Sequence, residues 1–172
     1  MKILLLAGLV FATAAQAQPA PLAPPLAGLA FLTGGWSSGR GHVADTGDDS
    51  AGSSTVTVEA NGGALLRRDH TELFGKDGRS KGGFDQIMLI YPDAGALRAD
   101  YSDGSHVIHY TKVTVTPGHA VTFVSEARAG APVYRLTYEL QGPGALAVDF
   151  AMAAPGTSDF RPVARGVLSK AP

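Results

Sequence analysis

Between Trp36 and Lys170 the chain is a succession of short segments in which apolar and polar residues alternate. Each runs six to twelve residues and is closed off by Gly, Pro, Asp or Asn. A period of two puts successive side chains on opposite faces of an extended strand. The connections are too short to hold a crossover helix, so consecutive strands must run antiparallel. Strands are expected at 36–44, 53–60, 64–74, 84–91, 96–102, 105–116, 120–127, 132–140, 145–153 and 160–169. Their connectors, among them Asn61-Gly62-Gly63, Asp103-Gly104 and Pro117-Gly118, carry hairpin turn chemistry. About ten strands in one meander expose two sheet edges unless the sheet closes on itself. The expected fold is therefore all-β, an antiparallel up-and-down barrel of about ten strands. One short helical turn, over Pro25–Leu32, precedes it.

The first seventeen residues stand apart from this pattern. Lys2 supplies a positive charge, Ile3–Ala12 is an apolar run of about ten residues, and Ala15-Gln16-Ala17 has the A-x-A form of a secretory cleavage site. The run is short of the roughly 20 residues that cross a bilayer as a helix. Residues 1–17 thus read as a signal peptide, 18–25 (QPAPLAPP) as a Pro-rich extended tether, and 26–172 as a single barrel domain. The expected location is periplasmic or secreted, with membrane contact only during export. The mature chain of about 155 residues is large enough for a sizeable core. It has no cysteine, which excludes disulfides, thiolate metal sites and a cysteine-linked lipid anchor. A net charge of −1 gives it no electrostatic reason to seek nucleic acid.

Alternation sorts the faces of the strands. Leu97, Ala99 and Tyr101 form one row against Arg98, Asp100 and Ser102. Val121 with Phe123, then Tyr134, Leu136, Tyr138 and Leu140, then Leu146, Val148, Phe150 and Met152, form others. In the segment 105–116 the expected inward row is Val107, His109, Thr111, Val113 and Val115. An apolar lumen with a few hydroxyls and one imidazole suits a small guest, and ten-stranded closure leaves room that side chains rarely fill. The candidate ligand-binding residues are Tyr101, His109, Thr111, Tyr134 and Tyr138 for a polar end. Val107, Phe123, Leu136 and Phe150 would enclose its tail.

The stretch Leu29–Gly41 (LAFLTGGWSSGRG) resembles the opening of the calycin-like barrels, the lipocalin, fatty-acid-binding and nitrobindin-type superfamily. There a short turn caps the barrel and a G-x-W tryptophan begins the first strand. Gly104–Thr111 (GSHVIHYT) is similar to a segment of uncharacterised bacterial secreted domains of that group. The resemblance implies that Trp36 plugs one end of the barrel beneath an arginine of the last strand, here Arg161 or Arg165. It also brings haem into view. In nitrobindins a late histidine holds the iron, whereas the last histidine here is His119, leaving Tyr134, Tyr138 and Met152 in the final strands. No cofactor is expected.

Other constellations carry less chemistry. Arg68, His70 and Glu72 share one face of the third strand and read as a solvated exterior row. Asp45, Asp48 and Asp49 sit in a Gly/Ser-rich segment that reads as a loop and lacks calcium-loop spacing. The basic tip Gly75–Gly83 lacks the order of a phosphate loop. No metal site and no nucleophile elbow is expected. Two functional classes follow: an exported protein that binds a small hydrophobic or amphipathic molecule, or an enzyme on the same scaffold with His109 as base among interior tyrosines; a third possibility is a barrel filled by its own side chains and purely structural. A haem-binding barrel without the late histidine is a further variant of the first.

Overall fold

The computed structural model describes residues 20–43 and 46–171. The expected signal peptide 1–17, the start of the tether, and Asp45 lie outside the described residues. Ten strands form a closed barrel in which every neighbouring pair is antiparallel. They are β1 (Gly34–Val43), β2 (Asp48–Glu59), β3 (Ala64–Phe74), β4 (Ser80–Asp93), β5 (Ala96–Ser102), β6 (Val107–Thr116), β7 (Ala120–Ser125), β8 (Val133–Gly142), β9 (Ala145–Ala153) and β10 (Phe160–Lys170). Chain neighbours pair throughout, and β1 pairs with β10 through Trp36 opposite Lys170 and Ser37 opposite Ser169. The edges that a meander would expose are thus consumed by one another. This is the closed architecture that a calycin-like barrel requires.

A 3-10 helix over Pro24–Leu32 covers one end. Two prolines open it, their rings fixing φ near the helical value. Leu26 and Leu29 are fully buried and Leu32 nearly so. Each such burial contributes roughly 1.5–3 kcal/mol. Two backbone hydrogen bonds hold the cap over the barrel: Gly118 N donates to the Gly28 carbonyl at 3.0 Å, and Ala23 N to the Gly62 carbonyl at 2.9 Å. Trp36, the first large side chain of β1, lies directly beneath, with Nε1 donating to the Leu32 carbonyl at 2.7 Å. Its ring is the end plug, as the resemblance implies, but the cation over it differs. Lys170 Nζ stands 4.2 Å from the ring centroid. Arg165 pairs instead with Asp149 at 2.7 Å and Arg161 with Asp159 at 3.4 Å. Register decides this, since Lys170 is the residue directly opposite Trp36.

Two further expectations are corrected. The segment expected as a Gly/Ser loop becomes a strand from Asp48 onward, because its backbone finds partners on both sides, β1 and β3. In β6 the inward row changes phase. The ladder to β7 slips between Tyr110 and Lys112, a β-bulge that places one extra residue, Thr111, in β6. Val113 and Val115 keep their inward packing. Ahead of the bulge, however, Ile108 and Tyr110 are buried, and Val107 is 62% exposed with His109 outside. A one-residue insertion exchanges the two faces of everything on one side of it.

Candidate functional site

A cavity of about 430 Å³ opens away from the capped end. Its existence follows from small side chains on β1 and β2. Ser38 and Gly41, with Ser50, Gly52 and Ser54, line one wall where aromatic or branched residues would have filled the lumen. Strands β2 and β3 lie so close that a Cβ at Gly52 would stand 2.1 Å from the His70 carbonyl oxygen. The Gly52 amide donates to Ser38 Oγ at 2.7 Å. The facing wall, from β8, β9 and β10, is apolar: Leu136, Val148, Phe150, Val163 and Leu168. Phe150 is held by a parallel stack on Tyr134, with ring centroids 5.8 Å apart.

At the inner end the cavity meets Arg67, which is 5% exposed. The inward row of β3 is Leu65, Arg67, Asp69, Thr71 and Leu73, and the guanidinium reaches across the lumen from it. Nη1 donates to the Tyr138 hydroxyl on β8, and Nη2 pairs with Asp69 Oδ2 at 2.8 Å. Gln86 Oε1 is 3.4 Å from Nη2, and Gln86 Nε2 donates to Thr71 Oγ1 at 3.1 Å. The rings of Tyr101 and Tyr138 flank the guanidinium carbon at 5.9 and 5.8 Å. Arg67, Tyr138, Ser54 and Leu168 also line the small apolar crevice under Trp36, so they form the partition between cavity and plug. Arg67 Nε and Asp69 Oδ1 are buried with no hydrogen-bond partner among the described residues.

The electrostatics follow from this packing. Burial pushes the Tyr138 hydroxyl up to about 12, although the neighbouring guanidinium pulls the other way. Tyr101 and Tyr110 are likewise raised, chiefly by burial. All three are neutral donors at ordinary pH. Burial opposes the Arg67 charge, but Tyr138 and Asp69 outweigh it and the group titrates above its usual value. At the mouth, burial works against the Asp103 carboxylate, yet the backbone amides of His106 and Ser105 and the His106 side chain hold it below the usual range. Asp48 is lowered by its hydrogen bonds from Lys81, at 2.8 and 2.9 Å.

Of the residues nominated from the sequence, Tyr101, Leu136, Tyr138 and Phe150 line the cavity. Phe123 is wholly buried behind it, 5.9 Å from Tyr110 ring to ring. Tyr134 packs against Phe150. Val107 and His109 are outside, and Thr111 sits in the bulge with its carbonyl accepting from Arg98. His109 does have an orienting carboxylate, Asp100, with Nδ1 2.6 Å from Oδ1. Asp100 in turn accepts from Tyr91 at 2.8 Å. This constellation is on the barrel's outer surface and lines no part of the cavity, so the reading of His109 as an interior base is overturned.

The cavity residues do not suit haem. The side chains of His70, His106, His109 and His119 are 45–74% exposed and each pairs with a carboxylate. The Tyr138 hydroxyl is occupied by Arg67. No group of three or more His, Asp or Glu side chains is placed to hold a metal ion among the described residues. The exterior row Arg68, His70 and Glu72 is on the outer face as expected, with His70 bonded to Asp85 at 2.8 Å.

Arg67 and Asp69 were missed. Their signal was available by elimination, because an exterior row at 68, 70 and 72 sends 67, 69 and 71 inward. No family model matches this sequence, and no curated protein shows significant similarity to it.

Proposed function

We propose that this chain is an exported, calycin-like protein that binds one small amphipathic molecule inside its barrel. The guest enters by the end opposite the Pro24–Leu32 cap. One observation carries this reading: a cavity of about 430 Å³ with an apolar wall on β8–β10 and a buried polar floor at Arg67 and Asp69. A volume in this range, mostly apolar with a few convergent polar groups, is typical of small-molecule sites. The polar floor has no evident structural need. A buried ion pair is on average no better for stability than apolar residues of the same size. Its retention at the bottom of an open cavity is better explained by a guest.

Native mass spectrometry of the protein isolated from its own host tests this. The expected result is a mature chain beginning at Gln18 that carries a lipid-sized, non-covalent mass. A Val148→Trp variant, which fills the cavity from the apolar wall, should be recovered without that mass. Recovery of the wild-type protein empty, together with failure to take up any alkyl chain in vitro, would overturn the reading.

A further inference from the structure

We infer that the cavity floor selects a neutral head group that both donates and accepts a hydrogen bond, a hydroxyl or primary amide, against a carboxylate. This rests on the binding function proposed above. A lone buried arginine beneath an apolar funnel would draw in an anionic head, but Arg67 is not alone. Its charge is matched by Asp69 at 2.8 Å. Of the two remaining carboxylates that line the cavity, one is matched and the other adds negative charge. Asp48 is matched by Lys81, and Arg165, the other arginine of the lining, by Asp149. Asp103 at the mouth, by contrast, accepts from the Ser105 and His106 amides and the exposed His106 imidazole at 3.2 Å, with no Arg or Lys paired to it among the described residues. An entering carboxylate therefore meets no net positive charge, and Asp103 repels it at the mouth.

Hydrogen-bond valence gives the same answer from different atoms. The ion pair uses Arg67 Nη2 and Asp69 Oδ2. The atoms of the pair without a partner among the described residues are Arg67 Nε, a donor, and Asp69 Oδ1, an acceptor. Neither atom has surface open to the cavity, so the floor must part to admit a head group; a hydroxyl or amide then accepts from the first and donates to the second. An ionised carboxylate only accepts, so it would leave Oδ1 unsatisfied and set two anions side by side. Gln86 and the Tyr101 ring border the same floor. Neither adds charge.

The test compares decan-1-ol, decanamide and decanoate, three guests of one chain length, by isothermal titration calorimetry with the wild-type protein at about pH 8, where decanoate is ionised. The alcohol and the amide should bind at least tenfold more tightly than decanoate. Asp69→Asn leaves the guanidinium without its counter-charge and should raise decanoate affinity at least tenfold, reversing the order. Decanoate binding as tightly as the alcohol to the wild type, or an unchanged order in a folded Asp69→Asn protein, overturns the head-group inference alone. If Asp69→Asn does not fold, the wild-type order still decides the matter. Saturable binding of none of the three sinks the binding function as well, which separates the two failures.

Discussion

Lys170 and Trp36 close the barrel as a directly opposed cross-strand pair, the ammonium 4.2 Å from the indole centroid and donating to the Thr33 carbonyl. The contact joins the last strand, the first strand and the end of the cap. An exposed cation–π contact is worth about 0.5–1 kcal/mol, and the carbonyl bond adds a similar amount. Lys170→Met should therefore lower unfolding stability by about 1–2 kcal/mol in urea titrations. Trp36 is the sole tryptophan and 3% exposed, so its fluorescence reports this end of the molecule specifically.

Leu29 is fully buried under the cap. Truncating a core leucine to alanine costs about 2–5 kcal/mol, depending on how far the site collapses. Leu29→Ala should fall in that range and redden the Trp36 emission as water reaches the indole. An unchanged emission maximum would show that the cap does not seal the plug.

Gly52 is required by the approach of β2 to β3. A methyl group there would meet backbone oxygen at 2.1 Å, and backbone cannot rotate away as a side chain can. Gly52→Ala should destabilise by at least about 1–3 kcal/mol, the scale of overpacking. It should also narrow the cavity, so affinity for decan-1-ol should fall alongside stability.

Four of the five tyrosines titrate above their ordinary value of 10.0: Tyr91 through its bond to Asp100, and Tyr101, Tyr110 and Tyr138 through burial. An acid whose folded pKa is raised contributes stability that is complete below its unfolded pKa and is lost as pH rises through the folded value. Stability should thus decline from about pH 10 upward, with Tyr138 ionising near 12 if the fold survives. Phenolate absorbance of the native protein above about pH 10 should lag behind that of the chain unfolded in urea, with the buried Tyr101, Tyr110 and Tyr138 the last to ionise.

His109 and Tyr138 make a decisive contrast. His109→Ala removes an exposed hydrogen bond to Asp100 worth about 1 kcal/mol and should leave decan-1-ol affinity unchanged within twofold. Tyr138→Phe strips the acceptor from a buried guanidinium and should cost about 1–3 kcal/mol of stability. A large binding defect in His109→Ala would mean that this imidazole reaches the lumen.

Strand order and the helical turn were legible because they depend on local chemistry, period-two alternation and turn residues, whereas closure was inferred from the two edges that an open meander would expose. The β8 row from Tyr134 to Leu140 shows why, since nothing interrupts its alternation and every member packs on the core. The candidate site was legible only in part. Val107 and His109 were misplaced by the bulge at Tyr110–Lys112, which depends on how β6 pairs with β7 and leaves no mark in the β6 residues themselves. The serine and glycine wall of β2 was invisible for another reason. Small polar residues have no strand signal, and their role here is the space they leave unfilled.

By itself the sequence determined the number of strands, their antiparallel order and the end that is capped, because each is settled by neighbours within a few residues along the chain. Only the tertiary structure decided that Arg67 meets Tyr138 across the lumen and that Lys170 rather than an arginine covers Trp36. Those contacts join residues far apart in the chain. They are set by the register with which the barrel closes, a property of the whole ring of strands and of no single segment.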